Sequence, residues 1–366
     1  MKRIIINKNG LLKVNLNNLS ANYKILKTYT KNSRIAGVLK SDSYGLGLER
    51  VTKKLVDLGC KDFFLTSLDE SILVRSESPQ SNIILLNGII NLSQNEISKV
   101  FNYKIIPTIN SFDELLKLYE FAKKSNEKLK VTLHFDTGIN RLGIIDKEQN
   151  KIISFCREKK ISVFCVMSHL ASADEPKSIL NKNQKTKFED ILINFPNSIH
   201  SLANSHAIIN LKKINYNLVR IGGCLFGTID NKKFKTVAEL YAKVLQIKEL
   251  VNNQNSFGYN ATYQSKIINR IAILGLGYAD GYPRLLSNKS YVFFKKKLPI
   301  IGSISMDYMT IDISSLNEID IKVGDYIELI GKNISINELA IKSKTIPYEI
   351  LNNIGNTVKK IYIDTR

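Results

Sequence analysis

With 366 residues, 44% of them apolar and 23% charged, the chain has the makeup of a globular protein long enough for two domains. Its 53 basic and 33 acidic residues give a net charge of +20, but the lysines are dispersed along the chain among Asn and Ile. No stripe, tail or binding motif gathers them, which argues against nucleic acid as a partner. The charge reads instead as a bias of solvated faces, one that still attracts anionic ligands such as a phosphate-bearing cofactor. Cys60, Cys156, Cys165 and Cys224 show no paired spacing, and Cys165 and Cys224 sit inside apolar runs, as free thiols of a reducing cytoplasm do. Behind Met1-Lys2-Arg3 only residues 4–6 are apolar, too few for a signal peptide, and no run approaches a membrane span. A cytoplasmic protein without membrane contact is expected.

In chain order, short apolar runs recur at 34–40, 63–67, 82–88, 104–109, 130–136, 161–170, 200–205 and 218–227. Between them lie stretches of helical periodicity such as 111–125 and 183–195. About eight strand candidates alternating with helices predict a closed (β/α)8 TIM barrel rather than an open sheet, placed at residues 11–235. Beyond it the pattern changes. Runs at 237–251, 267–277, 291–296, 299–313 and 325–331 read as strands joined by turns, with 335–343 as the only good helix. This predicts a mainly antiparallel β domain over 236–366, joined by the first ten residues as a returning strand.

Lys40 closes the run at 34–40 and opens the polar, glycine-punctuated loop SDSYGLG. That is the C-terminal end of a barrel strand, where barrels keep their chemistry. A partly desolvated amine there loses its proton more easily and can form a Schiff base with an aldehyde. Alone, such a lysine reads first as a solvated strand cap, so its meaning depends on its company. The later strands end in DTGINRLG (from Asp136), MSHLASAD (from Met167), LANS (from Leu202) and RIGGCLFG (from Arg220), and all parallel strands end on one rim. Asn204, Ser205, Gly222 and Gly223 fall on the last two loops, where small residues let backbone N–H groups close on a phosphate. The glycine pair taken by itself also suits a tight turn.

These segments, together with GVLKSDSYGLG, GYNATYQ, GYADG, SMDYM and PYE in that order, resemble the alanine racemases, fold-type III pyridoxal phosphate enzymes. The resemblance covers nearly the whole chain, from Asn22-Tyr23 to Glu349. It implies a barrel, a C-terminal β domain and a head-to-tail homodimer with shared active sites, with pyridoxal phosphate as cofactor, no metal, and alanine as substrate. By position, Lys40 would hold the cofactor and act as base on one face of the substrate carbon, and Tyr259 of the partner subunit would serve the other. A phenol with a pKa of about 10 needs a cationic neighbourhood for that role, which His169 backed by Arg220 would supply. Arg220 would face the pyridine nitrogen and weaken the ring as an electron sink. Tyr44, Asn204, Ser205, Gly222, Gly223 and Tyr348 match phosphate-binding positions, and Arg141 and the backbone of Met306 match the substrate carboxylate site. Tyr278 matches an entrance tyrosine that restricts the substrate side chain to about a methyl group.

Two departures stand out. Many relatives carry a carbamylated lysine two residues before the Asp-Thr-Gly, where this chain has His134, so Arg141 needs another acceptor, an anion such as chloride, or neutral His134. His134 also fits a simply packed strand residue. The stretch LNNIGNTVKKIYI after Glu349 also lacks the arginine-rich end common in the family. The implied role is interconversion of L- and D-alanine for peptidoglycan. The alternatives are a broader serine and alanine racemase and a non-catalytic pyridoxal phosphate-binding barrel protein, which lacks the β domain and Tyr259. The related decarboxylases do not carry the Tyr259, GYADG and SMDYM series.

Overall fold

The computed structural model describes residues 7–251 and 255–365. Strand β1 (Asn7–Asn15) leads into α1 (Leu16–Thr30), and strands and helices then alternate. They run as β2 (Arg34–Val38), the single turn α2 (Lys40–Gly45), α3 (Leu48–Asp57), β3 (Asp62–Leu65), α4 (Leu68–Glu77), β4 (Asn82–Leu85) and α5 (Gln94–Asn102). Next come β5 (Ile106–Ile109), α6 (Phe112–Lys124), β6 (Lys130–His134), α7 (Asp146–Glu158), β7 (Ser162–Met167) and α8 (Ile179–Leu192). The series ends with β8 (Ile199–Ser201), α9 (Ser205–Asn210), β9 (Leu218–Ile221) and α10 (Gly223–Phe226).

Strands β2 to β9 pair in parallel in the order β8-β7-β6-β5-β4-β3-β2-β9. Backbone bonds from Asn217 N to His200 O (3.2 Å) and from Arg220 N to Ala203 O (3.0 Å) join the two ends and close the barrel. Every apolar run predicted as a barrel strand becomes one of these eight. Except for β5, which ends with its run at Ile109, the strands stop a few residues earlier than the runs, because the last residues of those runs turn into loops at the C-terminal mouth. Ala36, Phe64, Ile84, Ile106, Cys165, Met167 and Leu218 form one buried cluster of the barrel core. Fully burying one such large side chain contributes roughly 1.5–3 kcal/mol, so the core fixes the strand ends firmly enough to aim the loops beyond them.

The second half contains β10 (Ala238–Glu249), the hairpin strands β11 (Asn255–Phe257) and β12 (Tyr263–Ser265), β13 (Arg270–Leu274), β14 (Tyr291–Phe294), β15 (Lys296–Ile301), β16 (Met309–Asp312) and β17 (Tyr326–Ile330). Helices α11 (Ile336–Lys342) and α12 (Pro347–Gly355) and strand β18 (Val358–Ile363) complete it. Its sheet has the order β13-β16-β15-β14-β17-β10-β1-β18, antiparallel except where β1 and β18 run parallel. The alternating burial of β10 matches a sheet with one packed face. Of the ten N-terminal residues expected in this sheet, residues 1–6 lie outside the described part, and β1 begins at Asn7 between β10 and β18.

Two readings of this half need correction. The run at 299–313 is two strands, β15 and β16, separated by the turn that carries Ser305 and Met306. The segment at 335–343 is not the only helix. Residues from Pro347 onward form α12, with Pro at its first position and Ile350, Leu351 and Ile354 buried. Proline there presets the helical φ and loses no hydrogen bond, so a residue type better known for ending helices starts this one.

The chain divides into two compact units. One gathers residues 23–43 and 48–225 and contains the barrel; the other gathers the described parts of 1–22, 44–47 and 226–366 and contains the β sheet.

Candidate active site at the barrel mouth and in the β domain

Within the barrel unit, Lys40 follows β2 and starts α2, which is a helical turn of the wrong hand. Ser41, Asp42, Ser43 and Tyr44 have φ of 56°, 54°, 54° and 58°. Left-handed helix costs L-residues roughly 1–2 kcal/mol each, so the turn persists only because other contacts enforce it. Ser43 N donates to Leu39 O (2.9 Å), and Leu48 N donates to Asp42 Oδ1 (2.7 Å). Lys40 is half-buried and makes no ion pair or hydrogen bond with a described residue. Desolvation, reinforced by the charge of Arg141, holds its pKa below that of an ordinary lysine.

The loops after β6 to β9 supply the other groups. Asp136 Oδ1 accepts the backbone N–H groups of Gly138, Ile139 and Asn140 (2.9, 3.0 and 3.2 Å), which folds the DTGINRLG loop that delivers Arg141. Burial would raise the Asp136 pKa, but these donors outweigh it and keep the carboxylate ionised. Arg220, on β9 and only 6% exposed, is a cation solvated by neutral acceptors. Its Nη1 donates to Ser201 O (2.9 Å) and Ser201 Oγ (2.7 Å), and its Nη2 to Ser168 O (2.6 Å) and His169 Nδ1 (3.3 Å). Burial brings its pKa down to about 10, which still leaves it charged at neutral pH. Its Nε is engaged by no described residue.

Because arginine only donates, His169 Nδ1 must accept, so the proton of this histidine lies on Nε2. Desolvation first, then the charges of Arg220 and Arg141, keep His169 well below the usual histidine pKa and therefore neutral. His134, on β6, is 6% exposed and shares Nδ1 with Asn110 Oδ1 at 2.9 Å. An amide oxygen accepts, so His134 carries its proton on Nδ1 and keeps Nε2 as an acceptor. Burial, with Arg220 and Arg141, pulls its pKa down to about 4.

Asn204 and Ser205 cap and open α9. Asn204 Oδ1 accepts Ala207 N (3.0 Å), which leaves its amide NH2 free to donate. Ser205 Oγ accepts Gly222 N (3.2 Å) and Cys224 N (3.3 Å), tying the start of α10 to the start of α9. The four phosphate candidates of the barrel are thus brought together by one serine hydroxyl.

The β-domain unit holds the remaining predicted residues. Tyr44 and Tyr348 lie with ring centroids 5.8 Å apart, and Tyr44 lies 5.1 Å from Phe226. Burial, then the neighbouring Tyr348, raises the Tyr44 pKa, so its phenol stays a donor. Gly45 packs so closely on Gly355 that a Cβ on Gly355 would lie 2.3 Å from Gly45 O. Tyr259 sits on a tight turn between β11 and β12 and is 66% exposed. Gly258, at φ 73°, lets this turn lie against the backbone of Gly302 and Ser303. Tyr278 N donates to Ser305 O and Ala279 N to Met306 O (both 3.0 Å), so the GYADG and SMDYM loops are zipped side by side.

Sequence reasoning missed Gln184, Asn110, Glu114 and Glu70. Gln184, on α8, takes Ala171 N on its oxygen (2.8 Å) and donates to His169 O (2.9 Å) and Thr137 Oγ1 (3.2 Å), so it holds two mouth loops. Glu114 accepts Ile89 N (2.6 Å) and Asn110 N (2.8 Å) and so supports the partner of His134. No motif points to Gln184. The Ser-x-x-Glu helix starts at Ser67 and Ser111 were the available signal for the two glutamates.

Residues 14–230 match the family described as Alanine racemase, N-terminal domain, and residues 237–362 match Alanine racemase, C-terminal domain. The alanine racemase of Brucella abortus (strain 2308) is 34% identical over 374 residues, spanning 97% of this chain and 93% of that protein. The alanine racemase of Rickettsia bellii (strain RML369-C) is 36% identical over 344 residues, spanning 92% and 83%. The crystal structure of alanine racemase from Bartonella henselae, with covalently bound pyridoxal phosphate, is similar with a TM-score of 0.89 and 31% identity over 97% of this chain and 99% of that one. Matches in both halves separate this chain from a barrel-only cofactor-binding protein.

The neutral histidines predict how stability depends on pH. His134 takes up a proton near pH 4 when folded and near 6.5 when unfolded. Between those values the unfolded chain binds more protons, so the contribution is fully present above about pH 6.5 and is lost as pH falls toward 4. Its size is about 3 kcal/mol, and His169 acts in the same direction. Urea unfolding at a series of pH values should show this decline, and His134→Gln should flatten part of it. An unchanged slope in the variant would contradict the neutral, buried assignment.

Proposed function

The chain belongs to the alanine racemase family, and on that premise we propose that its own Lys40 and Tyr259 serve opposite faces of the substrate α-carbon. The reaction is the pyridoxal phosphate-dependent interconversion of L- and D-alanine. Lys40 would hold the cofactor, which would supply an electron sink to the amino acid that takes the place of Lys40 on it, making the α-hydrogen acidic and leaving the lysine amine free.

The donor set fits this cofactor. Lys40 is an unpaired amine with a depressed pKa, suited to a covalent link with an aldehyde. Arg220 Nε, free beside a fixed guanidinium, is a donor for the pyridine nitrogen. An arginine does not give up its proton there, so the ring stays a moderate sink, which favours return of the proton over side reactions. Asn204, Ser205, Gly222 and Gly223 of the barrel unit would hold the phosphate, with the free amide NH2 of Asn204 as one donor. In the barrel unit Arg141 would take the substrate carboxylate, with His134 Nε2 as a neutral acceptor available to the guanidinium.

Racemisation needs one group to remove the proton and a second to return it from the other side. Lys40 is a base because it is desolvated. Tyr259 needs a positive neighbourhood; the bond from Arg220 to His169 Nδ1 leaves the proton on Nε2, which would then be a donor to a phenolate. Tyr278 would limit the substrate side chain to about a methyl group. The observation that carries this reading is the unpaired, desolvated Lys40 in the same mouth as an arginine whose partners are all neutral.

Tyr259, Tyr278, Met306 and Tyr308 are all exposed in the single chain. Such a concentration of large aromatic and apolar residues supports a partner surface, and we read it as the face given to a second copy in a homodimer with shared sites. A cytoplasmic enzyme supplying D-alanine to peptidoglycan is the physiological reading. Four free, buried cysteines suit a reducing compartment.

Incubation with L-alanine in deuterated water should yield α-deuterated D-alanine; unlabelled substrate after long incubation would defeat the assignment. Tyr259→Phe should reduce racemisation by about 10²–10⁴-fold while exchange from the Lys40 face survives better. Mixing inactive Lys40→Ala with Tyr259→Phe should restore about one quarter of the wild-type sites, because a mixed dimer carries one intact pair. No recovery on mixing would rule out sites shared between copies.

A further inference from the structure

We propose that Glu70 is a positioning residue for Lys40: its carboxylate pins the left-handed turn next to the lysine and thereby fixes where the amine is presented. The inference rests on the reading of Lys40 as the cofactor-bearing lysine.

Helix α4 opens with Ser67 as N-cap and Glu70 three residues on, the pattern of a reciprocal capping box. The first half of the box forms, since Ser67 Oγ accepts Glu70 N at 3.2 Å. The second half does not. Instead of returning to the N-cap backbone, Glu70 Oε1 accepts the backbone N–H of Asp42 at 2.8 Å. The same pattern at α5 closes fully, with Ser93 N donating to Glu96 Oε2 at 2.8 Å. Local helix energetics therefore do not require the diversion of Glu70; the turn after β2 receives its carboxylate instead.

That turn needs an outside tie. Four consecutive residues other than glycine hold positive φ, and a backbone held there relaxes unless it is over-determined. The bonds Ser43 N to Leu39 O and Leu48 N to Asp42 Oδ1 are local, within ten residues of the chain. The bond from Asp42 N to Glu70 reaches instead to a different element, α4, which is anchored on the barrel by buried Leu68, Ser71 and Val74. Lys40 has no side-chain partner of its own among the described residues, so its direction is inherited from this backbone. The device occurs a second time on the rim, where Glu114 leaves its own N-cap to hold Ile89 N and Asn110 N beside His134.

The test compares Glu70→Ala and Glu70→Gln with the wild type, in the full-length protein, by amide hydrogen exchange and by the rate at which yellow absorbance returns when pyridoxal phosphate is added back. Glu70→Ala should speed exchange at Asp42 about tenfold and leave the amides of β3 and β4 unchanged. It should slow the return of colour by a similar factor and lower kcat with little change in KM. Glu70→Gln keeps a side-chain oxygen for Asp42 N–H and should retain most of both properties. The proposal is overturned by unchanged Asp42 exchange in Glu70→Ala, by faster exchange spread through α4 and β3, by normal colour return despite a released Asp42, or by a Gln variant as impaired as Ala. Lys40→Ala run alongside separates the two levels: retained yellow absorbance in that variant removes the reading of Lys40 itself, whatever Asp42 does.

Discussion

A lysine amine kept out of water without a carboxylate beside it is the condition on which the rest of this molecule depends. An ordinary surface lysine would stay protonated, and one paired with an acid would be held so even more firmly. Here β2 ends at Val38, the chain winds the wrong way for four residues, and Lys40 emerges half-buried with a cation, Arg141, as its charged neighbour. The cost of the left-handed turn is met by ties from Asp42 and Glu70. Strain at this point is therefore the means by which a flexible side chain acquires a defined starting direction.

The charges around it obey one logic. Lys40, Arg141 and Arg220 are basic, and the nearby acid, Asp136, spends its oxygen on three backbone donors. Such a cluster would repel itself if its histidines also charged. His134 and His169 instead stay neutral and pass hydrogen bonds through defined tautomers fixed by Asn110 and Arg220. The mouth is left positive and short of anions, as a phosphate-bearing cofactor and a carboxylate substrate require. His134 fits the same scheme, because a neutral acceptor adds no further positive charge.

Most of the barrel was legible because each strand is a short apolar run that must be buried on both faces, and eight such runs alternating with helices leave few architectures. That Lys40, Asp136, His169 and Asn204 would stand at or just beyond strand ends was legible for the same geometric reason, whereas their roles rest on the resemblance. The errors came where local signals are ambiguous. Proline marks helix starts as well as helix ends, and Pro347 opens α12 and so sets Tyr348 on a helix. The run from 299 to 313 kept its apolar content through Ser305-Met306, which hid the turn between β15 and β16. Strand β18 pairs in parallel with β1 from the opposite end of the chain, a contact between residues some 350 apart that no local pattern announces. Gln184 and Glu70 escaped notice because their partners lie in distant loops and are mostly backbone atoms, and the Ser-x-x-Glu pattern of Glu70 is one that a helix can satisfy by itself.

The most direct measurement is the titration of one amine. Trace labelling of the full-length, cofactor-free protein with an amine-reactive reagent across pH, read at the Lys40 peptide by mass spectrometry, reports that group alone. The account predicts a midpoint clearly below the value of about 10.4 for an unperturbed lysine. A midpoint at or above that value would mean a solvated or acid-paired ammonium at the strand end, and the arrangement described would not hold.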